Sequence, residues 1–221
     1  MGGVVILCSG GLDSTVLLHH AKDCGMSPIM ALSVDYGQLH NREIDFAQEQ
    51  ARIAGVDWRF VNARNVYEKI QNPLLGQGDI PRGSYAEQQK GNHGAVKTYV
   101  PNRNMIFLSI AAAHAIAHGI STIGISAHKD DFIDCAYPDT SPEFIEAMNA
   151  ALLTQGISVW APFNLENKAS IVKRGDDLGV DFARTWSCYS GEYYPCGVCG
   201  TCIDRAIAFE KNGLVDPLLG K

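Results

Sequence analysis

The chain reads as an α/β protein: a Rossmann-like parallel sheet with helices on both faces, followed by a small cysteine-bearing C-terminal segment. Three observations predict this. Apolar runs of strand length alternate with helical periods along most of the 221 residues, a pattern that builds a parallel sheet covered on both sides. A Gly-rich turn, Ser9-Gly10-Gly11-Leu12-Asp13-Ser14, joins the first apolar run to the first helix. Four of the seven cysteines then crowd into the last fifth of the chain.

Gly3-Val4-Val5-Ile6-Leu7 is the first buried strand, and Leu12 to Ala21 a helix with Leu17 and Leu18 available for packing. Pro28 to Val34 is a second strand ending at Asp35. Asn41 to Ala54 is a helix that gathers Ile44, Ala47, Ala51 and Ala54 on one face. Asp57 to Asn62 is a third strand and Ala63 to Gln71 a short helix. Asn72 to Thr98 is polar and lacks a sustained period, which predicts a lid or an oligomer contact. Asn102 to His118 is a strongly apolar helix, Ser121 to Ser126 a fourth strand, and His128 to Thr140 a polar loop. Pro142 to Thr154 is a helix with Pro in the first turn, where its missing N–H is harmless. Ile157 to Trp160 is a short strand, Asn167 to Leu178 a helix capped by Asn167, and a final helix runs to about Lys211. Ligands of such sheets bind beyond the C-terminal strand ends, where the Ser9 turn, Asp35 and the His128 loop all lie.

The Gly-rich turn aims backbone N–H groups and a helix N-terminus at one point, a geometry that suits phosphate. Ser9 and Ser14 add hydroxyl donors, and Gly10, Gly11 and Leu12 complete the ATP-binding set. Asp13 repels phosphate, so it fits a partner for Mg²⁺ or for a pyrophosphate held through Mg²⁺. The turn has no Walker-A Lys and is not G-x-G-x-x-G. It resembles the PP-loop of ATP pyrophosphatases, which split ATP between the α- and β-phosphates and usually adenylate a substrate. The alternative is a Gly-Gly turn with no ligand.

No apolar run approaches membrane-spanning length and no signal segment opens the chain, so a cytoplasmic location is expected. A net charge of −6 argues against stable nucleic-acid binding, which needs clustered Lys and Arg. Seven cysteines without a secretion signal do not suit a disulfide scaffold. Cys188, Cys196, Cys199 and Cys202, spaced C-x7-C-x2-C-x2-C, can close a tetrahedral Zn²⁺ site with a structural role. An iron–sulfur cluster also takes four thiolates, but no separate redox motif accompanies these. Cys8, Cys24 and Cys135 read as core or loop residues. Residues 1–183 are thus expected to form the nucleotide-binding domain, with 184–221 a zinc-binding segment and final helix packed on it.

Together these features resemble the 7-cyano-7-deazaguanine synthase (QueC) family over nearly the whole length. The shared motifs are the Ser9 turn, Asp35-Tyr36-Gly37-Gln38 with His40 and Glu43, and Val100-Pro101-Asn102-Arg103-Asn104. Tyr137-Pro138-Asp139 with Glu143-Phe144, Lys168-Ala169, and Ser187 to Gly191 with the cysteines complete the set. The resemblance implies the PP-loop type of sheet, ATP with Mg²⁺, and zinc on the four motif cysteines. It implies conversion of 7-carboxy-7-deazaguanine, ammonia and ATP into the nitrile through an adenylated carboxylate, and places Tyr137 and Asp139 at the substrate. A homodimer is expected. Thr140 and Ser141 stand where family members usually carry Cys-Arg, and the preceding loop is longer than usual. A lost loop arginine removes a bidentate anion contact, so Ser141→Arg is expected to lower KM for the acid.

Such a reaction needs anion donors more than a nucleophile. Arg103 and Lys168 each sit in the first turn of an expected helix, where a cation is disfavoured unless it meets an anion. With Asp13 they are the candidate catalytic residues. Asp131 and Asp134, on the loop after the fourth strand, suit Mg²⁺ or a guanine-like edge. Trp186 and Tyr189 suit stacking on a purine-like ring or core packing, and His40, His114 and His118 suit helix packing or the surface. Two other functions stay open: a relative of the family that joins the activated acid to another amine, such as a protein N-terminus, in DNA modification or phage defence, and a zinc-ribbon nucleic-acid-binding module.

Overall fold

The computed structural model describes residues 2–39, 42–90 and 94–220; His40 and Asn41, named above, lie outside them. The first apolar run forms β1 (Val4–Leu7), the central strand of a parallel sheet with β2 (Ile29–Asp35), β3 (Asp57–Asn62), β4 (Thr122–Gly124) and β5 (Ser158–Trp160). Among the described residues the order is β3-β2-β1-β4-β5, and every adjacent pair is parallel. The chain steps outward from β1 through β2 to β3, then crosses back to lay β4 on the other side. The loops after β1 and β4 therefore diverge at the C-terminal edge and leave a crevice between them.

Strand pleating assigns the core. Val4 and Ile6 face one layer, with α1 (Leu12–Asp23), α2 (Arg42–Ala54), α8 (Lys168–Asp177) and α9 (Gly200–Lys211). Val5 faces the other, with α5 (Arg103–Ala117) and α7 (Pro142–Leu153). Val4, Val5 and Ile6 have no solvent exposure, and each such side chain contributes about 1.5–3 kcal/mol. α8 lies unusually close to α1: a Cβ at Gly175 would stand 2.7 Å from Val16.

The connections hold more structure than periodicity predicts. The expected helix from Ala63 shortens to α3 (Arg64–Tyr67). The polar stretch after it is fastened at Asn72. The Asn72 carboxamide accepts from Leu74 N–H and donates to the carbonyls of Lys97 and Tyr99. Ser84 and Glu87 form a capping box that starts α4 (Tyr85–Gln88). The loop after β4 contains α6 (Lys129–Phe132) and two short 3₁₀ turns. Asn167 caps α8 as expected, accepting from Ser170 N–H at 2.9 Å.

A buried ion pair absent from the sequence expectations ties the C-terminal segment to this body. Arg205 on α9 is 1% exposed and Asp216 is 0% exposed. The guanidinium donates to both Asp216 oxygens at 2.8 and 3.0 Å, to Thr185 Oγ1 at 2.7 Å and to the Phe182 carbonyl at 3.0 Å. Truncating one partner leaves an uncompensated buried charge. Asp216→Ala should lower unfolding free energy by about 3–5 kcal/mol in urea titrations; an unchanged midpoint would show that the pair contributes nothing.

Candidate active site

The turn after β1 is built around a close approach. Gly10 has φ +81°, and a Cβ there would lie 2.0 Å from the Glu43 carbonyl oxygen of α2, so only glycine fits. Its own carbonyl accepts from Trp186 N–H at 2.9 Å. Gly11 then starts α1 with no side-chain cap, leaving first-turn amides facing the crevice. Ser9 Oγ and Ser14 Oγ lie 3.1 Å apart, and Ser9 Oγ accepts from Gly11 N–H at 3.2 Å.

Asp13 does not stand alone beside this turn. Its Oδ2 accepts from Lys168 Nζ at 2.8 Å, and Lys168, at the start of α8, is 7% exposed. The anion that a first-turn lysine requires is thus Asp13, together with Asp130, whose Oδ2 accepts from Lys168 N–H at 2.8 Å. His128 joins the group. Its Nε2 is 3.4 Å from Lys168 Nζ, 3.5 Å from Asp131 Oδ1 and 3.8 Å from Asp13 Oδ2. Burial alone would raise the Asp13 carboxyl, but Lys168 and His128 outweigh it and hold Asp13 well below the usual carboxylate range. Burial likewise pulls Lys168 down, and Asp13 and Asp131 more than reverse this, so the lysine stays an ammonium. The countercharge of Asp13 comes from inside the chain.

One cavity of about 220 Å³ opens at the C-terminal strand ends between the loops after β1 and β4. Ser9, Gly11, Asp13 and Ser14 line one end. Arg103, Tyr36, Tyr137, Tyr189 and Thr140 also line the cavity, and Asp131 lines it beside His128. Arg103 donates to Tyr36 OH at 3.3 Å, and its guanidinium lies 5.4 Å from that ring's centroid. Burial raises Tyr36, Tyr137 and Tyr189, so all three are neutral hydroxyls. Cys8 also lines the cavity, and burial pushes its thiol up to about 11.

Two expected substrate residues, Asp134 and Asp139, lie outside the cavity lining, and Ser141 serves its own helix. Asp134 is exposed and lies outside the cavity lining; its backbone carbonyl accepts from Gln89. Asp139 is 4% exposed and also outside the lining, and its Oδ2 caps α5 by accepting from Asn104 N–H at 3.0 Å. Ser141 is the N-cap of α7, accepting from Phe144 N–H at 3.1 Å, while Thr140 faces the cavity. Trp186 lines the cavity but stacks on Phe46 at 6.2 Å between ring centroids. His128 carries no sequence signal for the site, because a lone His after a strand is indistinguishable from packing, whereas Tyr36 and Thr140 stand in stretches that the family resemblance marks without giving either a role.

The Sγ atoms of Cys188, Cys196, Cys199 and Cys202 all lie within 4.8 Å of one another. A tetrahedral Zn²⁺ places its sulfurs roughly 3.8 Å apart, so the four fit one ion. Cys196 N–H and Ser190 N–H donate to Cys188 Sγ, and Cys199 N–H donates to Cys196 Sγ, the outer bonds a thiolate ligand needs. All four positions are filled by the chain, so zinc here serves structure.

Two outcomes follow from this placement. Ser141→Arg sacrifices the α7 cap, so it should cost about 1 kcal/mol in urea unfolding and leave KM for the acid no lower; a clear fall in KM would return Ser141 to the binding surface. Purified protein should contain one zinc per chain by elemental analysis, and chelation should loosen the segment after Thr185. Iron in place of zinc would overturn the assignment.

A family model for the queuosine biosynthesis protein QueC matches residues 3–213. The 7-cyano-7-deazaguanine synthase of Marinobacter nauticus is 38% identical, over 97% of this chain and 96% of its own. That of Archaeoglobus fulgidus is 40% identical, over 97% of this chain and 89% of its own. Among solved structures, NMN synthetase from Francisella tularensis aligns over 96% of this chain and 77% of its own, with TM-score 0.54 and 16% identity. The U34-tRNA thiolase NcsA from Methanococcus maripaludis aligns over 96% of this chain and 66% of its own, with TM-score 0.51 and 14% identity. Those two likenesses establish the fold. The match along nearly all of the chain, with the turn, the cavity and the cysteine site in one body, makes this protein a member of the QueC family.

Proposed function

We propose that the protein is an ATP-dependent carbon–nitrogen ligase that converts 7-carboxy-7-deazaguanine and ammonia into 7-cyano-7-deazaguanine. The observation that carries the reading is that one cavity joins the Gly-rich turn to Arg103. Two anions, a triphosphate and a carboxylate, can thereby meet on one side of the sheet. The turn amides with Ser9 and Ser14 take the phosphates, and Lys168, fixed by Asp13, stands beside them. Arg103 takes the carboxylate, and the neutral tyrosine hydroxyls and Asp131 offer hydrogen bonds to the base.

The chemistry needs activation twice. The carboxylate oxygen attacks the α-phosphorus of ATP, releasing pyrophosphate and leaving an acyl-adenylate. Ammonia displaces AMP and gives up a proton to yield the amide. The amide oxygen then attacks the α-phosphorus of a second ATP, again releasing pyrophosphate, and loss of AMP with the two remaining N–H protons leaves the nitrile. The protein supplies position and charge at each step rather than a covalent nucleophile. Nothing in the cavity favours transfer to a larger amine or a nucleic acid.

Incubation with the acid, ATP and ammonium should yield the nitrile by mass spectrometry, with AMP and pyrophosphate. Pyrophosphate exchange with another carboxylate, and none with this acid, would overturn the substrate. Asp13→Asn should reduce turnover by about 100-fold or more with the fold retained, because it releases Lys168 at the phosphate end. Near-normal turnover in a folded variant would remove Asp13 from the site.

A further inference from the structure

Four residues that line the cavity, Trp186, Ser187, Tyr189 and Thr201, lie within two positions of a cysteine of the metal site. The cysteine knuckle is therefore one wall of the cavity as well as a clamp on the C-terminus. A second segment is stitched to its outer side. Arg82 pairs with Cys199 in an isolated antiparallel bridge, and Gly83 N–H donates to the Val198 carbonyl at 2.9 Å. These bonds bring in Tyr85, whose ring lies against the start of α9: a Cβ at Gly200 would stand 2.6 Å from Tyr85 Cε1. Tyr85 is outside the cavity lining, and no motif of the sequence singled it out.

Its hydroxyl reaches the cavity through others. Tyr85 OH is 3.3 Å from Tyr189 OH, which is 3.4 Å from Tyr137 OH, which is 2.7 Å from Thr98 Oγ1. The Tyr85 and Tyr137 rings also meet edge to face at 5.4 Å between centroids. Tyr189 and Tyr137 are the cavity members of this chain of hydroxyls, at the Arg103 end rather than the phosphate end.

We propose that Tyr85 is a positioning residue for the acid subsite, held in place by the cysteine knuckle, so that metal binding orders Tyr189 and Tyr137 through the segment from Arg82 to Gln88. The proposal rests on the assignment of the acid to the Arg103 end of the cavity. Removing the Tyr85 hydroxyl leaves the ring packing intact and breaks one link in the chain. Displacing the ring from the Gly200 side should act on the same link from the metal side.

In zinc-loaded protein, Tyr85→Phe should raise KM for 7-carboxy-7-deazaguanine by about threefold to tenfold, the range of one lost hydrogen bond. The KM for ATP, kcat and zinc content should stay within about twofold of wild type. Gly200→Ala should raise the same KM. An unchanged KM for the acid, or equal losses for acid and ATP, would overturn the proposal. Hydrogen exchange on the full wild-type chain gives a second readout that needs neither variant nor turnover. After zinc removal by a chelator, amides from Arg82 to Gln88 should lose protection together with those from Cys188 to Cys202, while β1 and β2 stay protected. A segment that keeps its protection while the knuckle opens would refute the coupling. Absence of acid-dependent pyrophosphate exchange in the wild type would instead refute the substrate reading and leave the exchange result to judge the coupling.

Discussion

The approach of Gly10 to the α2 backbone is the constraint on which the site is built. With no Cβ, the turn after β1 can lie against Glu43 and Ala47 and still offer its carbonyl to Trp186. Three parts distant in sequence meet there: the anion-binding turn, a helix of the sheet domain, and the segment leading to the cysteines. A side chain at position 10 would have to push α2 away, and the first-turn amides of α1 would move with it. The geometry of the turn and the geometry that seats the C-terminal wall thus depend on the same missing methyl group.

Electrostatics at the crevice follow from helix ends. α1, α5 and α8 all begin there, and each N-terminus favours negative charge. Asp139 answers α5, while Asp130 and Asp13 answer α8 and its lysine. Neither α1 nor α5 has a side-chain cap at its own N-cap residue, but Asp139 serves α5, which leaves the α1 amides for a ligand. Lys168, disfavoured by its own helix, is held by Asp13, and Arg103 by the Tyr36 hydroxyl. That logic separates the acids, since Asp139 is consumed as a cap while Asp131 keeps a face on the cavity.

Much of this was legible in the sequence, and the remainder has identifiable causes. Strand–helix alternation, the Gly-rich turn and the cysteine spacing are local patterns, and each corresponds to a local structure. The capping box of Ser84 and Glu87 was equally local, yet the surrounding lack of period obscured it. Contacts across the chain were not legible. Lys168 meets Asp13 across 155 positions, and Tyr85 meets Tyr189 across 104. Arg205 and Asp216 look like ordinary surface charges until the packing of α9 buries them. The Thr140–Ser141 departure from the family pattern was visible, but its consequence depends on which of the two faces the cavity, and only the fold decides that.

The overall charge of −6 sets a last condition on the site. Every reactant but ammonia is an anion, so the far field of the protein opposes their approach. At physiological ionic strength that field is screened beyond about 8 Å, whereas contacts inside a partly closed cavity are not. Under the proposed function, recognition then comes from short-range donors: the amides of α1, the Ser9 and Ser14 hydroxyls, and Arg103. These groups need fixed positions, because a donor free to move gives up in entropy what it gains in contact. The tyrosine hydroxyls that surround Arg103 and the carboxylate that holds Lys168 supply this rigidity without adding net charge to the cavity. Fixed donors inside an acidic protein can thus bind two anions together, where a broad basic surface would attract polyanions it has no chemistry for.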